Sequence, residues 1–191
     1  PIVGGASANG GDVELAADGS FTYDPPAGFE GVDTFDYVIT NPHGTDGATV
    51  SITVGGMIWF VNTNSGACAA DCDGRLTHPF ATLAAFQGVN DGVGNHPAAN
   101  DNIFLYESAA AYVGPVTLLS GQRLLGQDAT LSLSALTGLT APAFSDPLPA
   151  MNSGNGVLVT ITSGANGVIL GSGNTLRGFT AGMATGTAIT G

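Results

Sequence analysis

Between residues 10 and 54 the large apolar side chains fall on alternate positions in four short runs. Val13 and Leu15 form the first, Phe21 and Tyr23 the second, Phe35, Tyr37 and Ile39 the third, and Val50, Ile52 and Val54 the fourth. A period of two is the strand signature. The positions between carry Thr, Ser, Asp and Glu, so each strand has one apolar and one polar face, as in an antiparallel sheet that needs a second layer. Asp18-Gly19 predicts a tight hairpin turn, because glycine supplies the positive φ such turns require. The stretches 24–28 and 41–44, rich in Pro and Gly, predict breaks between strands.

The pattern changes after Gly55-Gly56, where a domain boundary is expected between residues 1–55 and 56–191. Met57, Ile58, Trp59, Phe60 and Val61 form an unbroken apolar run, read as a strand. Residues 79–87 carry Phe80, Leu83, Ala84 and Gln87 at helical spacing, with Pro79 suited to a first helical turn and Gly88 to a stop. This is the only helix expected. Beyond residue 100, short strands are predicted at 102–106, 115–119, 122–125, 157–162, 167–170, 175–179 and 187–190. The run from Leu118 through Gly121 to Gly126 is echoed by the run from Ile169 through Gly173 to Gly178. Both read as two short strands joined by a glycine corner, the pattern of a parallel β-helix with rungs of about 20–25 residues.

Composition narrows the function. The chain has 30 glycines and 10 prolines in 191 residues, charged residues make up 9%, and there is no lysine. With 15 carboxylates against Arg75, Arg123 and Arg177 the net charge is −12, which excludes nucleic acid as a partner because phosphate binding runs on Lys and Arg. Residues 1–55 hold eight of the acids and no base. No apolar run is long enough to span a bilayer, and the opening residues are not a signal peptide. Cys68 and Cys72 have poor spacing for zinc and are expected to form a local disulfide, which implies an oxidising compartment.

Two resemblances sharpen the picture. Residues 10–54, with D-G-S-F-T-Y, G-F-E-G-V-D-T-F-D-Y and A-T-V-S-I-T-V, resemble the cadherin-like, immunoglobulin-like repeats found in tandem in large bacterial surface adhesins. Asp33 to Tyr37 is similar to the tyrosine corner of such sandwiches. Residues 73–83, 101–106 and 121–127 resemble the opening of pectin-lyase-like right-handed parallel β-helix domains of secreted surface proteins, in which a small helix, here near 79–87, caps the first rung. The resemblances imply an all-β fold: a partial Ig-like β-sandwich (1–55, the C-terminal part of a repeat) followed by an N-terminally capped right-handed parallel β-helix (56–191).

Candidate chemistry is sparse. Asp24, Asp33, Asp36 and Asp46, or alternatively Asp71 and Asp73 with Asn62 and Asn64, are candidate Ca²⁺ ligands, calcium favouring six to eight oxygens. Otherwise no cofactor is expected. No G-x-S-x-G, H-E-x-x-H or P-loop pattern is present, and His43, His78 and His96 sit in Pro/Gly-flanked loops. Arg123 and Arg177 occupy comparable places in the echoed runs and read as surface residues. No catalytic residues are assigned. The expectation is a non-enzymatic structural and adhesive segment of a large extracellular or cell-surface bacterial protein. Its partners would be adjacent domains or subunits of the same protein, including head-to-tail, filament-forming copies, together with cell-surface carbohydrate. The alternative is the non-catalytic front part of a secreted polysaccharide-degrading β-helix enzyme. Half a sandwich leaves apolar side chains uncovered, so the chain is expected to be a slice of a longer polypeptide or to take strands from another molecule.

Overall fold

The computed structural model describes residues 5–64, 68 and 71–191. Its regular secondary structure is nearly all strand, with two five-residue helices, and it divides into two compact units, Pro1–Gly56 and Met57–Gly191.

The first unit contains two antiparallel sheets. β1 (Gly5–Ala6), β2 (Asp12–Leu15) and β3 (Phe21–Asp24) form one, and the hairpin of β4 (Gly31–Asn41) and β5 (Gly44–Val54) forms the other. The expected turns are present. Asp18 Oδ1 accepts from the N–H and hydroxyl of Ser20 at 3.0 and 2.7 Å, and Asn41 Oδ1 accepts from the His43 N–H at the hairpin tip. Both β4 and β5 are longer than the alternation suggests, because pairing runs unbroken from Gly31–Val54 to Asn41–Gly44.

What joins the two sheets is a carboxylate. Asp33, fully buried on β4, accepts from the Ser7 hydroxyl (2.5 Å), the Tyr23 hydroxyl (2.8 Å), the Asn9 backbone and side-chain amides (2.9 and 3.1 Å) and the Thr34 N–H (2.8 Å). The tyrosine tied to this aspartate is Tyr23. Above the knot the Phe21 and Phe35 rings meet edge to face at 5.1 Å. Apolar cover is confined to this end: Val13 and Phe35 are buried, whereas Phe21 and, toward the tip, Ile39 remain exposed.

In the second unit all strand pairing is parallel. β6 (Ile58–Val61), β7 (Asn102–Leu105), β10 (Arg123–Gly126) and β13 (Thr175–Arg177) form one sheet; β8 (Tyr112–Val113), β11 (Thr160–Ser163) and β14 (Thr180–Ala184) a second; β9 (Val116–Thr117), β12 (Val168–Ile169) and β15 (Ile189–Thr190) a third. The chain visits the three sheets in turn and comes back in register. Arg123 pairs with Asn102, 21 positions earlier, Ala181 with Ile161 after 20, and Ile189 with Val168 after 21. The two echoed runs lie on each other, Leu124 on Leu176 and Thr117 on Ile169. In that register Arg123 faces Thr175 and Arg177 faces Leu125, so the two arginines are not at equivalent places after all.

The glycine corner repeats through the stack. Gly121 and Gly173 hold φ of 73° and 70°, and Asn100 holds 71° one coil earlier, where a short polar side chain tolerates the left-handed region. The Asn100 N–H donates to Ser120 and the Gly121 N–H to Ser172, so the corners hydrogen-bond to one another along the stack. A Cβ at Gly121 would collide with the Asn100 side chain.

Two insertions interrupt this short period, residues 62–101 after β6 and 127–159 after β10. The first carries α1, which spans Leu83–Gln87 with Thr82 as N-cap, a turn later than the expected start at Pro79. Phe80 instead bridges to Val61 as an isolated parallel pair, which holds residues 79–80 extended. α1 packs its Leu83 and Phe86 into the interior beside Trp59, Val61, Tyr112 and Val116. β9 is the edge of its sheet on that side, and its exposed backbone is satisfied from this segment: Gln87 Oε1 accepts the Thr117 N–H, and the Asn90 amide donates to the Thr117 carbonyl. A second helix that the hydrophobic pattern did not reveal, α2 (Leu133–Thr137), lies in the second insertion, capped by Ser132 and by Gly138 in the left-handed conformation. Ser and Gly at those positions were its sequence signal.

The insertions also explain the unbroken apolar run of β6. Trp59, Ile103 and Leu124 point inward, while Phe60, Phe104 and Leu125 point outward beneath Leu76 of the first insertion and Leu133, Leu136, Leu148 and Met151 of the second. A sheet buried on both faces needs apolar residues at every position.

Two tests follow from these contacts. Burial by itself would raise the Asp33 pKa, but its donors outweigh that effect and hold the carboxyl well below the usual carboxylate range. Its stabilisation of the first unit is therefore present above the unfolded pKa of about 4 and lost as pH falls through the depressed folded value. Asp33→Ala should abolish that acid-dependent step and the cooperative melting of the unit, read by near-UV circular dichroism against pH. In the second unit the fully buried Gln122 exchanges two amide hydrogen bonds with Asn90 and accepts the Leu119 N–H. Gln122→Leu should cost about 1–3 kcal/mol for each of those groups left unpaired, measured by urea unfolding.

Candidate functional site

Cys68 and Cys72 are bonded, with Cα atoms 5.8 Å apart. Ala69 and Ala70 between them lie outside the described residues. Asp73, just beyond, pairs with Arg75 at 2.9 Å, and Asn62 Oδ1 accepts the Asn64 N–H. The first group of candidate calcium ligands is dispersed. Asp33 and Asp36 stand three apart on β4 and so on opposite faces; Asp33 is spent on its five donors, Asp36 accepts from Thr49, and Asp46 accepts the Gly47 N–H. Among the described residues no three His, Cys, Asp or Glu side chains come close enough together to hold a metal ion.

The structure assembles a different place, at the corner where the chain leaves the β6–β7–β10–β13 sheet. Both insertions depart there. One coil puts Glu107 just after β7, and the next puts Asp128 at the equivalent point after β10, 21 positions on. The two carboxyls lie within hydrogen-bond reach of each other. Their remaining oxygens hold the second insertion: Glu107 Oε2 accepts from Asn155 (2.8 Å) and Asn152 (3.4 Å), and Asp128 Oδ2 accepts the Val159 N–H (2.7 Å). Gln127 adds a clamp, accepting the Glu107 N–H and donating to the Ala150 carbonyl. Glu107 Oε1 and Asp128 Oδ1 are buried with no donor. Burial, followed by the neighbouring Glu107, raises the Asp128 pKa, which favours a proton on Asp128.

Beside this corner lies an open cleft of about 450 Å³, walled by Leu76 and Thr77 of the first insertion and by Asp146, Pro147 and Pro149 of the second, with Tyr106 and Gln127 between them. Tyr106 continues the aromatic column of Phe60 and Phe104, and burial pushes its pKa up to about 12. Asp146 and Asp128 were the only acids after Glu107 in the sequence. Nothing in their spacing signalled the site, because equivalence across coils depends on the length of each coil.

Residues 2–53 match the family model of the bacterial Ig domain. That match covers a little over a quarter of the chain, within the first unit. No curated protein and no solved structure matches the sequence. Among the described residues no helix is long and apolar enough to cross a membrane.

The acid pair predicts a pH response opposite in sign to that of Asp33. A raised folded pKa at Asp128 means that its stabilisation is complete below the unfolded carboxylate value and is lost as pH rises through the folded value, where its charge must sit beside Glu107. Protease cleavage within residues 139–157 should therefore accelerate with rising pH across that interval. In Asp128→Asn, which donates an amide hydrogen to Glu107 without titrating, the cleavage rate should stay near its acid-side value throughout.

Proposed function

We propose that the chain is a structural and adhesive segment of a large bacterial surface protein, with an Ig-like module followed by the capped first coils of a right-handed parallel β-helix. The bacterial Ig match supports the surface assignment. The observation that carries the reading of 57–191 is the register: three parallel sheets whose strands return over themselves after 20–21 residues wherever no insertion intervenes, with α1 covering the end at β9. A right-handed path is the expected hand for parallel crossovers. Modules that stack by repetition make stiff rods, which suits a stalk carrying a binding surface away from the cell. The disulfide suits an oxidising exterior. Neighbouring domains of the same polypeptide are its natural partners.

Immunogold labelling of intact, unpermeabilised cells with an antibody against residues 1–191 tests this. Dense surface label is the expected result. Label appearing only after permeabilisation would overturn it, and so would shortening of polysaccharide chains by the full-length protein, which would favour the degradative reading.

A further inference from the structure

We infer that copies of this chain join head to tail, the β4–β5 hairpin tip of one copy adding as a strand to the bare edge of β8 in the next. This deepens the structural reading above, and rests on it, by naming the contact through which one partner is held.

The three parallel sheets end on β6, β8 and β9, and two of those edges are already taken. Residues 74–80 run along β6: the Phe60 N–H donates to the Gly74 carbonyl, the Phe80 N–H to Phe60, and the Asn62 N–H to Phe80. On β9, Gln87 and Asn90 take the backbone groups of Thr117. No such cover lies along β8 among the described residues. Its Gly114 N–H donates to the Thr162 carbonyl of β11. Backbone groups alternate in direction along a strand, so the Val113 N–H and carbonyl point away from β11, where neither has a partner among the described residues. With two of three columns occupied, another stack of coils cannot seat here. The opening admits one strand.

Val113 borders a groove of about 670 Å³ between α1 and β8. Ala81, Leu83 and Ala84 line one side, Ala111, Val113 and Pro115 the other, and no ionisable residue lines it. Free backbone groups beside a trough of small apolar side chains are what strand addition uses. The strand that enters must itself be uncharged along its length, because a carboxylate placed there would find no cation.

The first unit supplies such a strand. The β4–β5 hairpin is a sheet of two strands only, so each has an outer edge. Near the base of β4 the Thr34 carbonyl on that edge accepts from the Ala8 N–H. The same alternation puts Val38 and Thr40 on the outer edge nearer the tip, where their backbone groups have no partner among the described residues. Val38 and Ile39 are exposed there, and burying them recovers apolar area from water. Residues 37–45 hold no carboxylate, although residues 1–55 hold eight. In a chain of net charge −12, two neutral apolar surfaces are the places where copies approach with least repulsion. Because the two surfaces differ, the contact is heterologous, and each copy keeps one of each free for the next.

Sedimentation equilibrium of the 1–191 chain tests the inference. A contact one strand wide is small and therefore weak, so the chain is used at about 0.2 mM. Sodium chloride at about 0.5 M screens the charge between copies. The average mass should at least double from the 18.9 kDa of one chain. Val113→Pro or Ala84→Glu in the groove, and Thr40→Pro or Val38→Glu on the hairpin, should each return it to that of one chain. All four positions are exposed, proline is tolerated where the N–H faces outward on an edge, and unchanged thermal midpoints would show intact folding. Mixing Ala84→Glu with Val38→Glu leaves one sound groove and one sound hairpin, so the mixture should form pairs of chains that grow no further. A wild-type chain that stays monomeric overturns the inference, as does association that survives the groove and hairpin variants, or a mixture that fails to pair. Monomeric chains with surface label retained remove this contact alone, whereas association of a chain confined inside the cell removes the surface reading and leaves the contact.

Discussion

In-register stacking of very short parallel strands is the constraint on which residues 57–191 depend. Strands of two to five residues cannot hold a sheet by themselves, and each gains its place only because the same strand of the adjacent coil lies beside it. That requires coils of nearly constant length and corners of constant shape. The column Asn100, Gly121, Gly173 meets the second requirement by holding one left-handed conformation three times over. The first is met by placing every long departure at a single corner, so that the two insertions leave the register undisturbed.

The insertions repair what the stacking leaves exposed. At β9, where no further strand stands alongside, Gln87 and Asn90 take the two backbone groups of Thr117 that an added strand would have paired. On the outward face of the first sheet, the second insertion covers Phe60, Phe104 and Leu125 with its own leucines and methionine. The same segment is then held by polar groups, with the Glu107–Asp128 pair, Gln127 and their backbone and amide partners as its fastening. Cover and cleft thus share one origin, because the segments that bury the outer face also border the open space beside Tyr106.

The first unit uses a different economy. With little apolar cover, it concentrates its cohesion on one buried carboxylate that accepts from three strands' worth of chain, through Ser7, Asn9, Tyr23 and Thr34. Asp33 is buried and Asp128 partly buried, yet they answer in opposite senses. One is surrounded by donors, which favour the charged form, and the other faces a second carboxyl, which favours the proton.

Much of this was legible in the residues. Period-two alternation located β2 to β5, and the echoed runs around Gly121 and Gly173 announced strands that stack, because neighbouring coils meet the same packing demands. The cysteine pair, too, was readable from spacing and composition. Other features rest on distances the linear chain does not express. α1 begins at Leu83 because Phe80 is drawn into pairing with Val61, and α2 escaped notice because five residues are too few for a helical period to emerge. Asp33 read as one of four candidate calcium ligands, and only folding places Ser7, Asn9 and Tyr23 around it. Glu107 and Asp128 become neighbours through a coil length of 21, and Asp146 reaches the cleft through the path of an insertion. Local sequence determined which segments could be strands, corners and caps, since those choices depend on a few adjacent side chains; the tertiary structure alone decided which carboxyls meet, since that depends on how many residues separate one coil from the next.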